Sequence, residues 1–372
     1  MRLRRIATIA AMICLVSAFV SYVGALTRRS DSTVGIRTVE WLRDNGARGL
    51  VDRVENLYYS LTAPSKGGPP LNALPRQSGG VALRPVQAPQ IRYQHPEIRH
   101  YRPSDIAPVI HPALPGEGVW HPTFAGGGSR PPVLITSFRP ETDYPHLVAG
   151  VAWIDHTRTN VMLYPGVSEP AVPMTSRGPA EVPMMVRSGL VATFNSAFKL
   201  RDSGGGFAYH GETYAPMRRD TATIVRYRDG HVDVISWHGG SDVPPNVVYA
   251  RQNLPLIVNG GRPNPHLSGG PEWGATLGNA IMVWRSAVGV DRKGNLIYAA
   301  ANDQTVASLA AIMIRAGAVR AMELDINAYW PSFITYRLPG AARPANLLAD
   351  MVRSALRYLT PDDRDFFAVY LR

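Results

Sequence analysis

Apolar positions form one long unbroken run near the start of the chain. Between Ile6 and Thr27 no residue is charged, and the segment IATIAAMICLVSAFVSYVGAL is 21 residues long. As a helix this segment extends over roughly 30 Å, the thickness of the hydrocarbon core of a bilayer. Three arginines precede the run and two follow it, which favours an inside N-terminus only slightly. We predict a signal anchor or transmembrane helix over 1–29, in a single-pass cell-membrane protein whose main domain is extracytoplasmic. Secretion after signal cleavage near Val23-Gly24-Ala25 is the alternative.

Two amphipathic segments follow the apolar run. Ile36–Asp44 and Arg48–Leu61 have helical spacing, and apolar residues recur along one side of the second segment. We therefore predict juxtamembrane helices within 30–61. Their apolar faces are suited to docking on the main domain, to lying on the membrane surface or to self-association.

Proline and glycine dominate the next part of the chain. Residues 62–132 contain 14 of the 32 prolines and show little periodicity. We predict a Pro/Gly-rich spacer over 62–130. Because extended proline-rich chain rises about 3.1 Å per residue, such a spacer can separate the main domain from the bilayer by tens of ångströms, or wrap around that domain.

Short apolar runs replace this pattern from Pro131 onward. Strands are predicted at Val133–Phe138, Leu147–Ile154, Asn160–Tyr164 and Val191–Phe194. Two hairpins follow, at 221–237 around a two-residue Asp229-Gly230 turn and at 287–301. A helix at Thr305–Ala316 and a strand at Val319–Asp325 come next. We expect an α+β domain over 131–372, built on a mixed, largely antiparallel sheet with few helices.

Charge and cysteine content narrow the class of protein. The chain has 39 Lys+Arg and 28 Asp+Glu, a net charge of +11, and only three of the basic residues are lysines, a bias typical of high-GC bacteria. Without the five arginines of 1–29, the net charge is a modest +6. Such a charge suits a protein that works near anionic envelope polymers or lipid headgroups. No basic cluster with interleaved aromatic residues is present, so nucleic acid is not an expected partner. The lone Cys14 excludes an internal disulfide and a cysteine-based metal site.

Two carboxylates at the end of an apolar strand are the strongest candidates for chemistry. The sequence has no Gly-x-Ser-x-Gly, His-Glu-x-x-His, Walker or dinucleotide motif. Glu323 and Asp325 are two residues apart, so on a strand their side chains share one face with Cα atoms about 6.6 Å apart. Such a pair can divide acid and base roles, because proximity raises the pKa of one group while the other stays ionised. A solvated strand end with one structural carboxylate is the alternative.

Other polar residues also stand at strand ends or in glycine-rich segments. Asn195 ends an apolar strand, where its amide can orient sugar hydroxyls or simply close a turn. Arg285 follows another apolar strand, where its guanidinium suits a phosphodiester, a carboxylate or a structural ion pair. His210 is a candidate proton donor or a surface histidine, and Asp202 is a weaker carboxylate candidate.

Three of these segments together resemble the phosphodiester glycosidase family, over about Val133 to Arg337. Asn195-Ser196-Ala197-Phe198 corresponds to the family's Asn-Gly-Gly-Phe strand end, and Arg285-Ser286-Ala287-Val288-Gly289 to its Arg-Thr/Ser-Ala-x-Gly stretch. Glu323-Leu324-Asp325-Ile326-Asn327 corresponds to its Asn-Leu-Asp-Gly-Gly segment. The glycines after Asn195 and after Asp325 are replaced, which implies a reshaped pocket. The chain is most similar to a bacterial, membrane-associated branch.

The resemblance implies hydrolysis of a glycosidic bond, in a sugar-1-phosphodiester of a cell-envelope glycan. Asp325 is then the nucleophile or base, Glu323 its partner, and Arg285 stabilises charge on the departing oxygen. Asn195, Asn327, His210 and Asp202 are the candidate substrate-binding residues. No cofactor and no metal are expected, and the oligomeric state is left open. A noncatalytic envelope-glycan binding or assembly module, and a phosphodiesterase that cuts the P–O bond, are the alternatives.

Overall fold

A computed structural model describes residues 2–77, 79–80, 102–123, 130–267, 273–274 and 282–372. Much of the predicted spacer, at 81–101 and 124–129, lies outside these ranges, so its extended conformation stays a prediction. The first three helices are α1 (Arg2–Thr27), α2 (Val34–Asp44) and α3 (Arg48–Thr62). Arg4–Thr27 is long and apolar enough to cross a membrane, by length and composition. The side-chain oxygen of Thr33 caps α2 by accepting from the Ile36 N–H.

The rest of the described chain is built from strands, two further α-helices and a 3-10 helix at Met184–Gly189. The α-helices are α4 (Leu200–Ser203) and α5 (Val306–Arg315). The strands up to the first glycine-rich segment are β1 (His121–Pro122), β2 (Val133–Phe138), β3 (Ala149–Ile154), β4 (Thr159–Tyr164), β5 (Leu190–Asn195), β6 (Phe207–Tyr209) and β7 (Glu212–Ala215). The middle strands are β8 (Ala222–Tyr227), β9 (Val232–Ser236), β10 (Val247–Gln252), β11 (Leu256–Asn259) and β12 (Arg262–Pro263). The last strands are β13 (Val283–Val290), β14 (Leu296–Gln304), β15 (Arg320–Glu323), β16 (Phe333–Arg337), β17 (Ala342–Asn346) and β18 (Phe366–Leu371).

These strands form three sheets within the described ranges. The largest has the order β1-β2-β3-β14-β13-β15-β11-β12, and the others have the orders β7-β6-β10-β8-β9 and β17-β16-β5-β18-β4. The pairings within them are antiparallel, so the predicted α+β class with a largely antiparallel sheet and few helices is confirmed, with the strands divided among three sheets.

Alternating side chains of the largest sheet supply two separate cores. In β2, Val133 and Ile135 pack into a core shared by all three sheets, whereas Leu134 and Phe138 pack on the opposite face. That second face is covered by α5, whose Leu309 and Met313 are fully buried. Since both faces of the sheet are covered, a charged side chain at its strand ends is removed from bulk water.

Local sequence signals account for the ends of α5 and for the first hairpin turn. Thr305 and Ser308 form a reciprocal capping box at the start of α5, and Gly317 follows its end with φ +94°. The predicted two-residue turn between β8 and β9 is wrong in length. Tyr227 N–H donates to His231 O at 2.8 Å, so three residues connect the strands, and Gly230 alone supplies the positive φ, +88°.

The predicted strand at Val319–Asp325 is shorter than its apolar pattern suggests. β15 ends at Glu323, and the N–H of Asp325 donates to Ser196 O, which follows β5 in another sheet. Asp325 therefore leaves the ladder that holds Glu323. The strict alternation that was expected to place both carboxylates on one strand face does not extend to Asp325.

Candidate functional site

Segments far apart in the chain meet where β5 and β15 end and where β13 and β18 begin. Leu324 N–H donates to Ser286 O at 2.8 Å, and Ser286 Oγ donates to the carbonyl oxygen of Asp325 at 2.7 Å. Ser196 N–H donates to Asp365 O at 3.3 Å. The first two bonds lie within the largest sheet and the third joins β5 to β18, while the bond from Asp325 N–H to Ser196 O links these two sheets.

Asp325 forms a bidentate ion pair with Arg364 at this junction. Arg364 Nη2 donates to both carboxylate oxygens, at 3.2 Å to Oδ1 and 2.9 Å to Oδ2. Burial raises the pKa of the Asp325 carboxyl to about 7. Arg364 acts in the opposite direction, while the negative charges of Asp365 and Glu40 add to the rise. Asp325 therefore titrates near neutral pH, where a general base or acid is most effective.

Glu323 forms a separate pair with Arg285, the arginine that the sequence analysis placed beside the catalytic carboxylate. Arg285 Nη1 donates to Glu323 Oε1 at 2.5 Å and to Trp273 O at 3.1 Å, and its Nε donates to Gln304 O at 2.9 Å. Burial raises the pKa of Glu323 to about 6, with Arg285 acting against the rise. Arg285 is thus committed to Glu323 and to backbone carbonyls, and the guanidinium that faces Asp325 belongs to Arg364.

Asn195 lies at the junction with its side chain fully engaged by the protein. Its amide nitrogen donates to Ser286 Oγ and to Ser196 O, both at 3.0 Å. Its amide oxygen accepts from Tyr298 Oη at 2.8 Å and from Ser332 N–H at 3.0 Å. This arrangement favours a scaffold role that holds β5 to β13, over the expected role in orienting sugar hydroxyls.

A cavity of about 530 Å³ lies beside Arg364. Trp330 forms one wall, with its ring 4.5 Å from the Arg364 guanidinium carbon, in cation–π contact. Another wall comes from α2, where Glu40 is paired with Lys199, and Lys199 also contacts Asp44 at 3.1 Å. The lining side chains include Arg364, Trp330, Lys199, Glu169, Glu40 and Trp41.

The Arg364 side chain carries unused hydrogen-bonding capacity next to this cavity. Its Nε and Nη1 atoms are buried and have no hydrogen-bond partner, while Nη2 is occupied by Asp325. Acidic groups in the wall already have partners: Glu169 accepts from the Leu200 and Ala171 N–H groups, and Asp363 accepts from Ser30 Oγ at 2.7 Å. Two donors of Arg364 are therefore unpartnered in a side chain that lines the cavity.

The other candidate residues lie apart from the Arg364 side chain. Asn327 follows Asp325 closely, with φ +78°, and its N–H donates to Trp284 O at 2.9 Å. His210 is exposed in the turn between β6 and β7 and stacks on Tyr209 at 4.0 Å between ring centroids. Asp202 pairs with Arg48 of α3 at 2.5 Å. The substrate-binding roles of these three residues stay predictions.

Residues near the C-terminus complete the site, and they were not among the residues predicted from the sequence. Asp365 pairs with Arg251 at 2.8 Å, and Asp362 pairs with Arg357 at 2.7 Å, all four side chains being fully buried. Arg364 lies between Asp362 and Asp365. The available signal was the dense charge of 362–365 directly before the apolar run 366–371, since ionised residues at the start of a buried strand need partners.

Within the described ranges, no group of three or more His, Cys, Asp or Glu side chains could hold a metal ion. The site offers carboxylate, guanidinium and indole groups. Together these can bind an anionic, partly apolar ligand and exchange a proton with it near pH 7.

Comparison with known proteins confirms the family resemblance. Residues 182–325 match the family model described as phosphodiester glycosidase. This segment contains Asn195, Arg285, Glu323 and Asp325, and it ends before Arg364. The match supports a glycosidase-type hydrolytic function. No curated protein matches the chain.

The solved structures that match the chain include the following two. The zebrafish N-acetylglucosamine-1-phosphodiester alpha-N-acetylglucosaminidase catalytic domain, auto-inhibited by pro-peptide, is 16% identical, with a TM-score of 0.44 over 66% of this chain and 85% of that one. A hypothetical protein from Synechocystis is 13% identical, with a TM-score of 0.35 over 61% of this chain and 59% of that one.

Proposed function

We propose that the protein is an extracytoplasmic hydrolase that cleaves the glycosidic bond of a sugar-1-phosphodiester in a cell-envelope glycan. The observation that carries this proposal is the buried Asp325–Arg364 pair, whose arginine lines a cavity of about 530 Å³. The family match over 182–325 supports the same class of reaction. The apolar helix α1 supports a membrane location, and the slight excess of arginines before it favours an orientation with the sheets outside the cytoplasm.

Asp325 is the proposed nucleophile or base. Its raised pKa keeps part of the population ionised and part protonated near neutral pH, so the carboxylate is available without extreme conditions. As a base it accepts a proton from water, the water oxygen bonds to the anomeric carbon, and the bond from that carbon to the phosphate oxygen breaks. Because a phosphomonoester is a good leaving group, no strong general acid is required.

Arg364 takes the role that the sequence analysis gave to Arg285. Its unpartnered Nε and Nη1 are positioned to donate to phosphate oxygens as negative charge grows on the leaving group. Trp330, held against the same guanidinium, offers an apolar ring face to a sugar. Glu323 and Arg285 then stabilise the end of β15, which the Asp325 segment directly follows.

Hydrolysis of sugar-1-phosphodiesters by the full-length protein in detergent tests this proposal. We expect release of reducing sugar by wild type and its loss in Asp325→Asn. With isotopically labelled water, the label should appear in the sugar, because the C–O bond breaks. Label in phosphate instead would identify a phosphodiesterase. Unchanged glycan bound equally by wild type and Asp325→Asn would identify a noncatalytic binding module.

A further inference from the structure

The polar cavity is bounded on one side by the last turns of the apolar helix α1. Ser21 and Ala25 line it. Trp41 of α2 donates its indole N–H to Ser21 Oγ at 3.1 Å, and Tyr22 Oη lies 2.9 Å from Thr38 Oγ1. These contacts hold α2 along the C-terminal part of α1.

A second, apolar space adjoins this cavity. It is a groove of about 300 Å³ between α1 and α2, and Leu15, Ala18, Phe19 and Leu42 are among its lining residues. Trp41 lines both the groove and the polar cavity, so the two spaces meet at its indole ring. Apolar surface therefore continues from the side of α1 to the edge of the cavity that Arg364 lines.

The depth of these two spaces along α1 matches the layers of a bilayer. Ser21 lies six residues before the end of α1, about 9 Å along the axis, at the level of headgroups when α1 spans the membrane. Leu15 lies twelve residues before that end, about 18 Å, within the hydrocarbon of one leaflet. An amphiphile resting in the membrane would meet the groove with its chain and the cavity with its headgroup.

The charged side chains that line the cavity indicate which kind of headgroup it can bind. Glu40, Glu169 and Asp363 are held by Lys199, by backbone N–H groups and by Ser30, whereas two buried nitrogens of Arg364 have no partner. A planar guanidinium with free donors suits a phosphodiester.

We propose that the substrate is a lipid-linked sugar phosphodiester that the enzyme takes directly from the membrane. The lipid chain lies in the groove between α1 and α2, the phosphodiester contacts Arg364, and the sugar faces Asp325. Water and the lipid-linked diester yield free sugar and a lipid phosphomonoester that stays in the membrane: the water oxygen bonds to the anomeric carbon and the carbon–oxygen bond to phosphate breaks. This inference rests on the proposed function, whose substrate class it names, and it requires that α1 is retained.

Matched substrates and matched variants test the groove. Full-length protein in vesicles of phosphatidylcholine and phosphatidylglycerol is given sugar-1-phosphate diesters of octadecanol and of methanol. We expect kcat/KM for the octadecyl diester to exceed that for the methyl diester at least about tenfold. Ala18→Trp fills the groove and should abolish most of this preference. Val16→Trp is the control, because its side chain projects about 200° around the helix from Ala18 and is exposed.

The control separates binding in the groove from simple enrichment at the vesicle surface, which affects both variants equally. The lipid-linked substrate would be overturned if Ala18→Trp and Val16→Trp preferred the octadecyl diester equally, or if wild type showed no such preference. The proposed function would still stand in that case, provided that the methyl diester is hydrolysed.

A binding measurement tests the opposite case, in which the amphiphile binds but no diester is hydrolysed. A photoreactive octadecyl phosphate is crosslinked to the same vesicles and the labelled peptides are mapped. Label at 15–42 that is lost in Ala18→Trp, without turnover of any diester, would retain the amphiphile site and overturn the proposed function. Label that is the same in both variants would overturn the site.

Discussion

Two carboxylate–arginine pairs stand at the end of β15, and they differ in what surrounds them. Glu323 and Arg285 are enclosed by the largest sheet and by backbone carbonyls that accept from Nε and Nη1 of the arginine. Asp325 and Arg364 are equally buried, but Arg364 borders a cavity and keeps two nitrogens without partners. Residue type and burial are alike in the two pairs. Access to a ligand distinguishes them, and that is why we assign chemistry to one pair and support to the other.

Replacing the carboxylate that pairs with Arg364 should have the largest effect. We expect Asp325→Asn to lower kcat for a sugar-1-phosphodiester by about 10³-fold, because the amide cannot accept a proton or attack a carbon. Release of reducing sugar measures this. Asp229→Asn in the exposed turn between β8 and β9 is the matched control and should keep full activity. Activity of Asp325→Asn within about twofold of wild type would exclude Asp325 from the chemistry.

Breaking the enclosed pair should instead affect stability. Arg285→Met leaves Glu323 buried without its cation, so we expect a loss of about 3–5 kcal/mol in the free energy of unfolding. The double variant Arg285→Met/Glu323→Leu should recover most of that loss, because no charge stays unpaired. Urea denaturation followed by circular dichroism measures both. If the single variant unfolds within about 1 kcal/mol of wild type, the enclosed pair is not a structural support.

The pH dependence of activity should identify which carboxylate is used. A nucleophile or base must be ionised, and the ionised fraction of Asp325 rises with pH through its raised pKa of about 7. We therefore expect kcat/KM to increase with pH, with a midpoint near 7. Initial rates between pH 5 and 9 measure the profile, and the carboxyl infrared band missing in Asp325→Asn assigns the group. A midpoint near 6 would point to Glu323 instead.

We expect the smallest effect on the pH profile from a substitution in α2. The negative charge of Glu40 adds to the raised pKa of Asp325, so Glu40→Gln should lower the midpoint of the pH profile by a fraction of a pH unit. Glu55→Gln, on α3, is the control and should leave the midpoint in place. An upward shift in Glu40→Gln would contradict the electrostatic contact between α2 and the site.

Much of the fold follows from local pattern. The apolar run of α1, the capping box at Thr305 and the hairpin around Gly230 are short-range signals that correspond to observed elements. The terminal strands β16–β18 and the true end of β15 were not predicted. Those elements depend on pairing with β5 and on the bond from Asp325 to Ser196, which join residues that are far apart in the chain.

In the candidate site, too, some residues were predicted from the sequence and others were found only in the tertiary structure. Sequence pattern and family resemblance alone located Asp325, Glu323 and Arg285, because ionised side chains at the ends of apolar strands stand out from their neighbours. Tertiary structure alone decided that Arg364, 39 residues after Asp325, is its partner, and that α1 and α2 border the cavity beside it. The physical reason is that charge and hydrophobicity belong to single residues and to short segments, whereas the pairing of buried ions depends on which strand ends the sheets bring within hydrogen-bonding distance.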